Sequence, residues 1–237
     1  MGLRHFLNTP RSISLNPERV ARRRSKRGFI ASLTSMVLFS VIFWLVRRNR
    51  SAAADAAVTL RVQKQDHPYF DRLMHIVSWP GFPPQSRILP PGIAAALWLR
   101  GMRLEAIFQL AAWGTGGVSS TFKRIMRRKR PSSEGTGIKV AVANIGGSSF
   151  PSGHVIIYMG VYGFLAYLAD TWVRANAIRR VVVALLTSLL ALVGPSRIYL
   201  GHHWFTDVAA SYLLGTTWLV GLTALYRRTK RWMIKGA

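Results

Sequence analysis

GFIASLTSMVLFSVIFWLV, residues 28–46, is a stretch of 19 residues without a charged side chain, and it decides the fold class of this chain. A helix of that length, rising about 1.5 Å per residue, approaches the thickness of a bilayer hydrocarbon core, about 30 Å. We therefore interpret the stretch as a transmembrane helix. A cleavable signal sequence is the alternative, but Arg47, Arg48 and Arg50 follow directly, where such signals carry small neutral residues.

The composition of the whole chain agrees with a membrane protein. The 237 residues include 33 Lys+Arg, 8 Asp+Glu and no Cys, for a net charge of +25, yet 50% of them are hydrophobic. A soluble basic domain normally dilutes its apolar content, so this pairing favours apolar helices with basic flanks. It excludes a disordered chain and a disulfide scaffold, and the absence of Cys excludes a thiol nucleophile.

Five further uncharged runs lie between charged flanks, and they complete a predicted all-α, polytopic bundle of six transmembrane helices. The runs are Ile88–Leu99, Ala106–Phe122, Val155–Ala169, Val181–Ser196 and Val208–Tyr226. The shortest carries Pro90 and Pro91 at its start. It spans a bilayer only if Arg87 and Arg100 extend their side chains outwards along their aliphatic stems.

An amphipathic helix is predicted between the first two spans. Phe70, Leu73, Met74 and Val77 follow the i, i+3, i+4, i+7 spacing of one helix face. Such a helix lies in the membrane interface or packs as a surface helix on the bundle, and the sequence does not separate the two.

The charge pattern predicts the organisation and orientation of the chain. Residues 1–27 hold eight basic residues and are interpreted as a basic cytoplasmic tail, followed by a six-span domain at 28–237. With both termini inside, 18 basic residues fall on the inner side and 15 on the outer side, which favours this orientation in a bacterial plasma (inner) membrane. The basic residues are spread over the helix flanks without a recognition module, so we expect anionic lipids as partners and no nucleic acid.

The segment KRIMRRKRP, residues 123–131, follows the third predicted span. Lys123 and Arg130 are seven residues apart, which is two helical turns. They project from one face together with Arg127 if the helix continues to Pro131. On its own this segment is a basic helix end, and a lipid-facing anchor is the simpler interpretation.

The segment FPSGHV, residues 150–155, stands at the start of the fourth predicted span. A helix N-terminus presents free backbone N–H groups, Ser152 adds a hydroxyl, and Gly153 lets an anion approach the backbone closely. His154 lies at the same mouth. On its own the segment is a helix cap with an interfacial histidine.

The segment SRIYLGHHWFTD, residues 196–207, connects the fifth and sixth predicted spans. His203 and Asp207 are one helical turn apart, so the carboxylate can hold one imidazole nitrogen protonated and raise the pKa of the ring, leaving the other nitrogen as a nucleophile. His202 lacks that spacing. An acid at the mouth of a membrane span is costly unless it is paired, which favours a functional role.

The six-span topology places these three segments on one face of the membrane. Basic side chains, a helix N-terminus and a carboxylate-backed histidine together form a site for an oxyanion with a covalent histidine step. A metal site built from His202, His203 and Asp207 is the competing interpretation. The basic side chains of the three segments would repel a divalent cation, so we expect neither metal nor cofactor.

The three segments resemble the signature of the type 2 phosphatidic acid phosphatase superfamily. Lys-x6-Arg-Pro, Pro-Ser-Gly-His and Ser-Arg-x5-His-x3-Asp are matched at every defining position. The resemblance implies that His203 attacks phosphorus, Asp207 orients it and His154 protonates the leaving oxygen. It also implies a set of groups that hold the phosphate oxygens: Lys123, Arg130, Ser152, Gly153 and Arg197.

The expected activity is therefore that of an integral membrane lipid phosphatase at the extracytoplasmic face. Its substrate would be a phosphomonoester or pyrophosphate of a lipid, such as phosphatidate, phosphatidylglycerol phosphate or polyprenyl pyrophosphate. A phosphotransferase that passes the phosphoryl group to a lipid acceptor would use the same residues, and the sequence does not distinguish it. A non-catalytic membrane scaffold or transporter would be expected to lose at least one motif, and none is lost here.

Overall fold

The computed structural model describes residues 26–142, 145–173 and 175–235, and within these ranges the chain is helical, without strands. The nine α-helices of the described residues are α1 Lys26–Arg47, α2 Ala52–Val62, α3 Pro68–Ser78, α4 Gln85–Leu99, α5 Arg103–Trp113, α6 Thr115–Met126, α7 Gly153–Trp172, α8 Asn176–Tyr199 and α9 Phe205–Lys235. A 3-10 turn, Trp79–Gly81, follows α3. The all-α prediction is confirmed, whereas nearly all of the predicted tail lies outside the described residues.

Four of the described helices are long and apolar enough to cross a membrane. These segments are Arg27–Arg47, Gly153–Trp172, Asn176–Tyr199 and Phe205–Ile234. They contain four of the six predicted spans, including the apolar stretch at residues 28–46.

The other two predicted spans have a different form. Ile88–Leu99 lies within α4, which has 15 residues and begins at Gln85, so Pro90 and Pro91 are inside the helix and not at its start. Ala106–Phe122 is divided at Gly114 into α5 and α6, of 11 and 12 residues. The six-span count therefore depends on one short helix and one interrupted helix.

Helix α7 forms the centre of the bundle. The apolar window of α7 is 67% buried, against 17% for that of α1, because α7 packs against α5, α8 and α9. Gly160 allows the close approach to α5, since a Cβ there would lie 2.3 Å from the carbonyl oxygen of Ala112. The N-terminus of this central helix is consequently held in a fixed position.

The predicted amphipathic helix is present as α3 and packs against α8. Met74 and Val77 are buried, and the ring of Phe70 meets that of Tyr199 edge-on at 5.0 Å. Leu73, in contrast, is exposed. One side of α3 therefore belongs to the bundle.

The condition for a shared face of Lys123, Arg127 and Arg130, a helix that continues to Pro131, is not met. Helix α6 ends at Met126, and Arg127 adopts the left-handed conformation with φ 49°. The chain leaves the helix because Ser148, from a distant loop, accepts a hydrogen bond at 3.0 Å from the backbone N–H of Arg128. Arg127 is thus exposed, and Arg128 turns towards the interior.

Candidate active site

The three predicted segments meet where the ends of four helices converge. Lys123 lies in the last turn of α6, Gly153 begins α7, Arg197 lies in the last turn of α8 and Asp207 in the first turn of α9. A Cβ on Gly153 would lie 3.9 Å from Cε of Lys123, which shows how closely these ends approach. His203 lies in the short connection between α8 and α9, and it is almost fully buried.

His203 is oriented by the backbone of the loop before α7. Its Nδ1 lies 2.8 Å from the carbonyl oxygen of Ser149 and 3.7 Å from Oδ2 of Asp207. Because a carbonyl oxygen only accepts, Nδ1 carries the proton and Nε2 keeps its lone pair. Nε2 in turn lies 3.3 Å from Nη1 of Arg130. The hydrogen-bond partner of Nδ1 is therefore the carbonyl oxygen of Ser149 and not the expected carboxylate of Asp207.

The field of Asp207 led us to expect a raised pKa for His203, but the net shift of this pKa is downwards. Burial lowers the pKa of His203 well below its ordinary value, and the cations of Arg197, Arg130 and Lys123 lower it further. The imidazole is therefore neutral near pH 7, as a nitrogen nucleophile must be.

Asp207 is engaged by a residue that the sequence analysis missed. Its Oδ1 accepts a hydrogen bond from Nη1 of Arg128 at 2.5 Å, and its Oδ2 accepts from the backbone N–H of Trp204 at 2.9 Å. The same guanidinium donates from Nη2 to Oδ2 of Asp55 at 2.6 Å. Arg128 thus joins two fully buried carboxylates.

Asp55, also missed, ties α2 to the start of α9. It accepts from the backbone N–H of Thr206 at 2.8 Å and from the Thr206 hydroxyl at 2.9 Å. Arg128 completes the cluster with a hydrogen bond to the Ser51 hydroxyl at 3.1 Å. One available signal was that Asp55 is the only acid of the apolar stretch AAADAAV, in a chain with 8 acids, and a buried acid requires partners.

Lys123 and Arg130 both donate to the carbonyl oxygen of Ser148, in the loop before α7. Lys123 donates to the carbonyl oxygen of Ser148 at 2.6 Å, and Arg130 donates to the carbonyl oxygen of His202 at 2.8 Å. Burial, with the nearby charge of Arg130, lowers the pKa of Lys123 to about 8. Burial likewise lowers the pKa of Arg130. Both side chains still carry positive charge at neutral pH.

Arg197 is 1% exposed and is held by groups from two other segments. Its guanidinium donates to the hydroxyl of Ser78 and to Nδ1 of His202, and it lies 4.9 Å from the ring centre of Phe82. Burial and the neighbouring Arg197 lower the pKa of His202 to about 3, so this ring stays neutral. His202 is thus a partner of Arg197.

Buried polar atoms without a hydrogen-bond partner among the described residues are concentrated at this site. Six of the ten such atoms belong to it: Ser119 Oγ, Arg130 Nε, Ser152 Oγ, His154 Nε2, Arg197 Nε and His202 Nε2. Buried donors are nearly always paired in proteins, so this cluster suits an anion with several oxygens. In the described part of the chain, no three His, Asp or Glu side chains are grouped as metal ligands.

The comparison with known families gives the class of the protein. The model of the PAP2 superfamily matches residues 104–231, more than half of the chain and the whole range from Lys123 to Asp207. The chain belongs to the PAP2 superfamily and is a phosphatase of that type. Phosphatidylglycerophosphatase B of Bacillus subtilis (strain 168) is 25% identical to it over 183 residues, which are 76% of this chain and 86% of the relative.

Two solved structures share the fold. The first transmembrane PAP2-type phosphatidylglycerolphosphate phosphatase from Bacillus subtilis superposes with a TM-score of 0.72 at 23% identity, covering 84% of this chain and 98% of that one. Aquifex aeolicus LpxE superposes with a TM-score of 0.55 at 18% identity, covering 71% and 94%. The helical architecture is therefore that of transmembrane PAP2 phosphatases.

Proposed function

We propose that this chain is an integral membrane lipid phosphatase that works through a phosphohistidine at His203. The observation that carries the proposal is the orientation of His203, whose Nδ1 faces the carbonyl oxygen of Ser149 and whose Nε2 lies beside Arg130. This arrangement leaves a neutral, fixed nucleophile against a cationic pocket.

In the first step, the lone pair of Nε2 of His203 attacks phosphorus and forms an N–P bond. The bond from phosphorus to the leaving oxygen breaks, and that oxygen takes a proton from His154, whose protonated form the bound phosphate dianion stabilises. The positive charge that develops on the His203 ring is stabilised by the Asp207 carboxylate, 3.7 Å from Nδ1.

In the second step, a water molecule attacks phosphorus and the N–P bond breaks. His154, neutral after the first step, takes a proton from the water, and the bonding electrons return to Nε2 of His203. Inorganic phosphate leaves, and both histidines regain their starting protonation. The reaction therefore needs no external acid or base.

The phosphoryl oxygens are assigned to the groups that the motifs indicated. Charge accumulates on these oxygens in phosphoryl transfer, and fixed donors in a buried pocket stabilise it. The donors are Lys123, Arg130, Ser152, the backbone N–H of Gly153, and Arg197. The buried, unpartnered atoms of Arg130, Ser152 and Arg197 support this assignment.

A lipid substrate is supported by the surroundings of the site. An apolar cavity of about 610 Å³ is lined by Ile156, two residues after His154, and by Val118, Leu214 and Trp218. A chain in this cavity would leave its phosphate near the start of α7. The candidates are phosphatidate, polyprenyl pyrophosphate and phosphatidylglycerol phosphate, the last of which is the substrate in the names of the Bacillus subtilis relatives.

The topology completes the proposal. Helix α4 would form the second span and the interrupted stretch Ala106–Phe122 of α5 and α6 the third, which leaves Lys123 outside it, with α3 in the interface. The site would then face the extracytoplasmic side of a bacterial plasma membrane, with both termini of the domain at 28–237 inside. Attraction between the basic flanks and anionic lipids would support this placement.

The test is phosphate release by the purified protein from a panel of lipid phosphates in detergent micelles. We expect release from at least one of the three candidates, with loss of release in His203→Ala. A phosphotransferase would instead transfer labelled phosphate to an added lipid acceptor faster than to water. A panel without any release or transfer would contradict an enzymatic function.

A further inference from the structure

The segment SWPGF, residues 78–82, forms a wall of the site although it lies outside the matched family range and outside the three motifs. It comprises the last residue of α3, the 3-10 turn and the residue after it. Tyr158 fixes the start of the segment to α7, since its hydroxyl donates to the carbonyl oxygen of Val77 at 2.9 Å. The segment is therefore attached to the helix that carries His154.

Two side chains of the SWPGF segment hold Arg197. The buried hydroxyl of Ser78 accepts a hydrogen bond from the Arg197 guanidinium. The ring of Phe82 lies 4.9 Å from Cζ of the same arginine, at cation–π distance. Arg197, which we propose binds the phosphate, is thus positioned by a segment that lies outside the three motifs.

The same segment confines the ring of His154. The edge of Phe82 meets it at 4.8 Å between ring centres, with an interplanar angle of 75°. Gly81 also lies against this ring, since a Cβ there would come within 2.1 Å of Cδ2 and 2.7 Å of Nε2 of His154. Only glycine at position 81 leaves the imidazole where it is.

Packing is what fixes the Nε2 end of His154. This atom is buried and has no hydrogen-bond partner among the described residues, so no protein acceptor or donor there sets the direction of the ring. A general acid must reach the leaving oxygen at hydrogen-bond distance, and small displacements of such a group are costly to catalysis. Contacts that hold the ring therefore bear directly on proton transfer.

We propose that Gly81 and Phe82 are positioning residues that direct His154 towards the leaving oxygen, and that Ser78 couples this wall to Arg197. The inference rests on the proposed function, because it assigns the general-acid role to His154. It adds the SWPGF segment to the site formed by the motifs, as a wall beside the leaving oxygen.

The test compares Gly81→Ala with Gly92→Ala, a matched control on α4 where a Cβ meets nothing within 4 Å. For each purified protein, kcat/KM is measured on an alkyl lipid monophosphate and on an aryl phosphate with a nitrophenolate leaving group. The aryl ester needs little acid assistance. We expect Gly81→Ala to lose about 100-fold on the alkyl ester and less than about 5-fold on the aryl ester, within the range of general-acid effects. Gly92→Ala should retain both activities.

A second pair of variants tests the inference if Gly81→Ala fails to fold. Phe82→Leu removes the aromatic edge from His154 and the cation–π contact from Arg197, so it should lower kcat/KM on both esters and lower it further on the alkyl ester. Phe82→Tyr keeps the ring and should restore most of the activity on each ester. Equal losses on both esters, or no loss, in an enzyme whose wild type is active would overturn the inference and leave the proposed function standing. A wild type inactive on both esters and on the lipid panel would overturn both.

Discussion

His203 donates its Nδ1 proton to the backbone carbonyl oxygen of Ser149 at 2.8 Å, and not to the carboxylate of Asp207, which lies 3.7 Å away. The tautomer of His203, the proposed nucleophile, is therefore set by the loop that leads into α7. Because that loop also precedes Ser152 and Gly153, one short segment orients His203 and leads into the helix N-terminus that we propose binds the phosphate.

Replacing the nucleophile should abolish turnover without unfolding the protein. We expect His203→Ala to lower phosphate release by more than about 1,000-fold, since no neighbour offers a neutral nitrogen in the same position. His202→Ala should keep measurable turnover, because His202 contacts Arg197 through Nδ1 and is not directed by Ser149. Activity retained in His203→Ala and lost in His202→Ala would reverse the assignment.

Arg128 should be needed for the stability of the fold. Arg128→Ala leaves the buried carboxylates of Asp55 and Asp207 without their shared cation, a type of change that costs about 3–5 kcal/mol. Thermal unfolding in detergent should therefore begin at a clearly lower temperature. The neighbouring Arg127 is exposed, so Arg127→Ala is the control and should change stability by less than about 0.5 kcal/mol.

A further variant separates charge from packing at this cluster. Adding Asp55→Asn to Arg128→Ala removes one of the two uncompensated charges, so the double variant should be more stable than Arg128→Ala alone. An equal or lower unfolding temperature in the double variant would show that the arginine acts through packing.

Measured on an aryl phosphate, which needs little proton donation from His154, the pH dependence of kcat/KM should carry an alkaline limb from Lys123. Its pKa of about 8 means that the ammonium is charged below that pH and neutral above it, so phosphate binding weakens as the pH rises through 8. Lys123→Arg keeps its charge to much higher pH and should move this limb upwards. The exposed Lys129 gives the control Lys129→Arg, which should leave the limb in place.

The acid limb of the pH profile of kcat/KM should lie at a lower pH than the ordinary pKa of a histidine. The pKa of His203 is lowered by burial and by three cations, so the nucleophile stays neutral under mildly acidic conditions. Activity should consequently persist as the pH falls through the ordinary imidazole range. A half-maximal point at the ordinary histidine pKa would show that the cations do not act on His203 as the structure indicates.

Metal chelation should leave activity unchanged. Lys123, Arg130 and Arg197 supply positive charge at the place where a divalent cation acts in other phosphoryl transferases. Turnover measured before and after EDTA treatment should agree. If chelation removes activity and Mg²⁺ or Zn²⁺ restores it, His202 becomes a candidate ligand.

The sequence predicted the four long apolar helices because each carries its own signal of length and composition. It also predicted the residues that the structure brings together at the helix ends, because the three motifs are local. It did not predict the end of α6 at Met126, because Ser148, twenty residues from Arg128, supplies the hydrogen bond there.

The residues missed at the site share one property: their partners are distant in the chain. Arg128 lies 73 residues from Asp55 and 79 from Asp207, and Ser78 lies 119 residues from Arg197. No helical or strand periodicity relates residues at such distances. They are brought together by the packing of α2 against α8 and α9, of α3 against α8 and of α6 against α7.

Trapping of the covalent intermediate tests the central claim most directly. The protein would be mixed with a ³²P-labelled lipid phosphate, quenched rapidly without acid and digested, and the labelled peptide sequenced. We predict acid-labile label on His203 in the wild type, none in His203→Ala, and retained label in His202→Ala. Turnover without a labelled protein, or label on His202, would contradict the account.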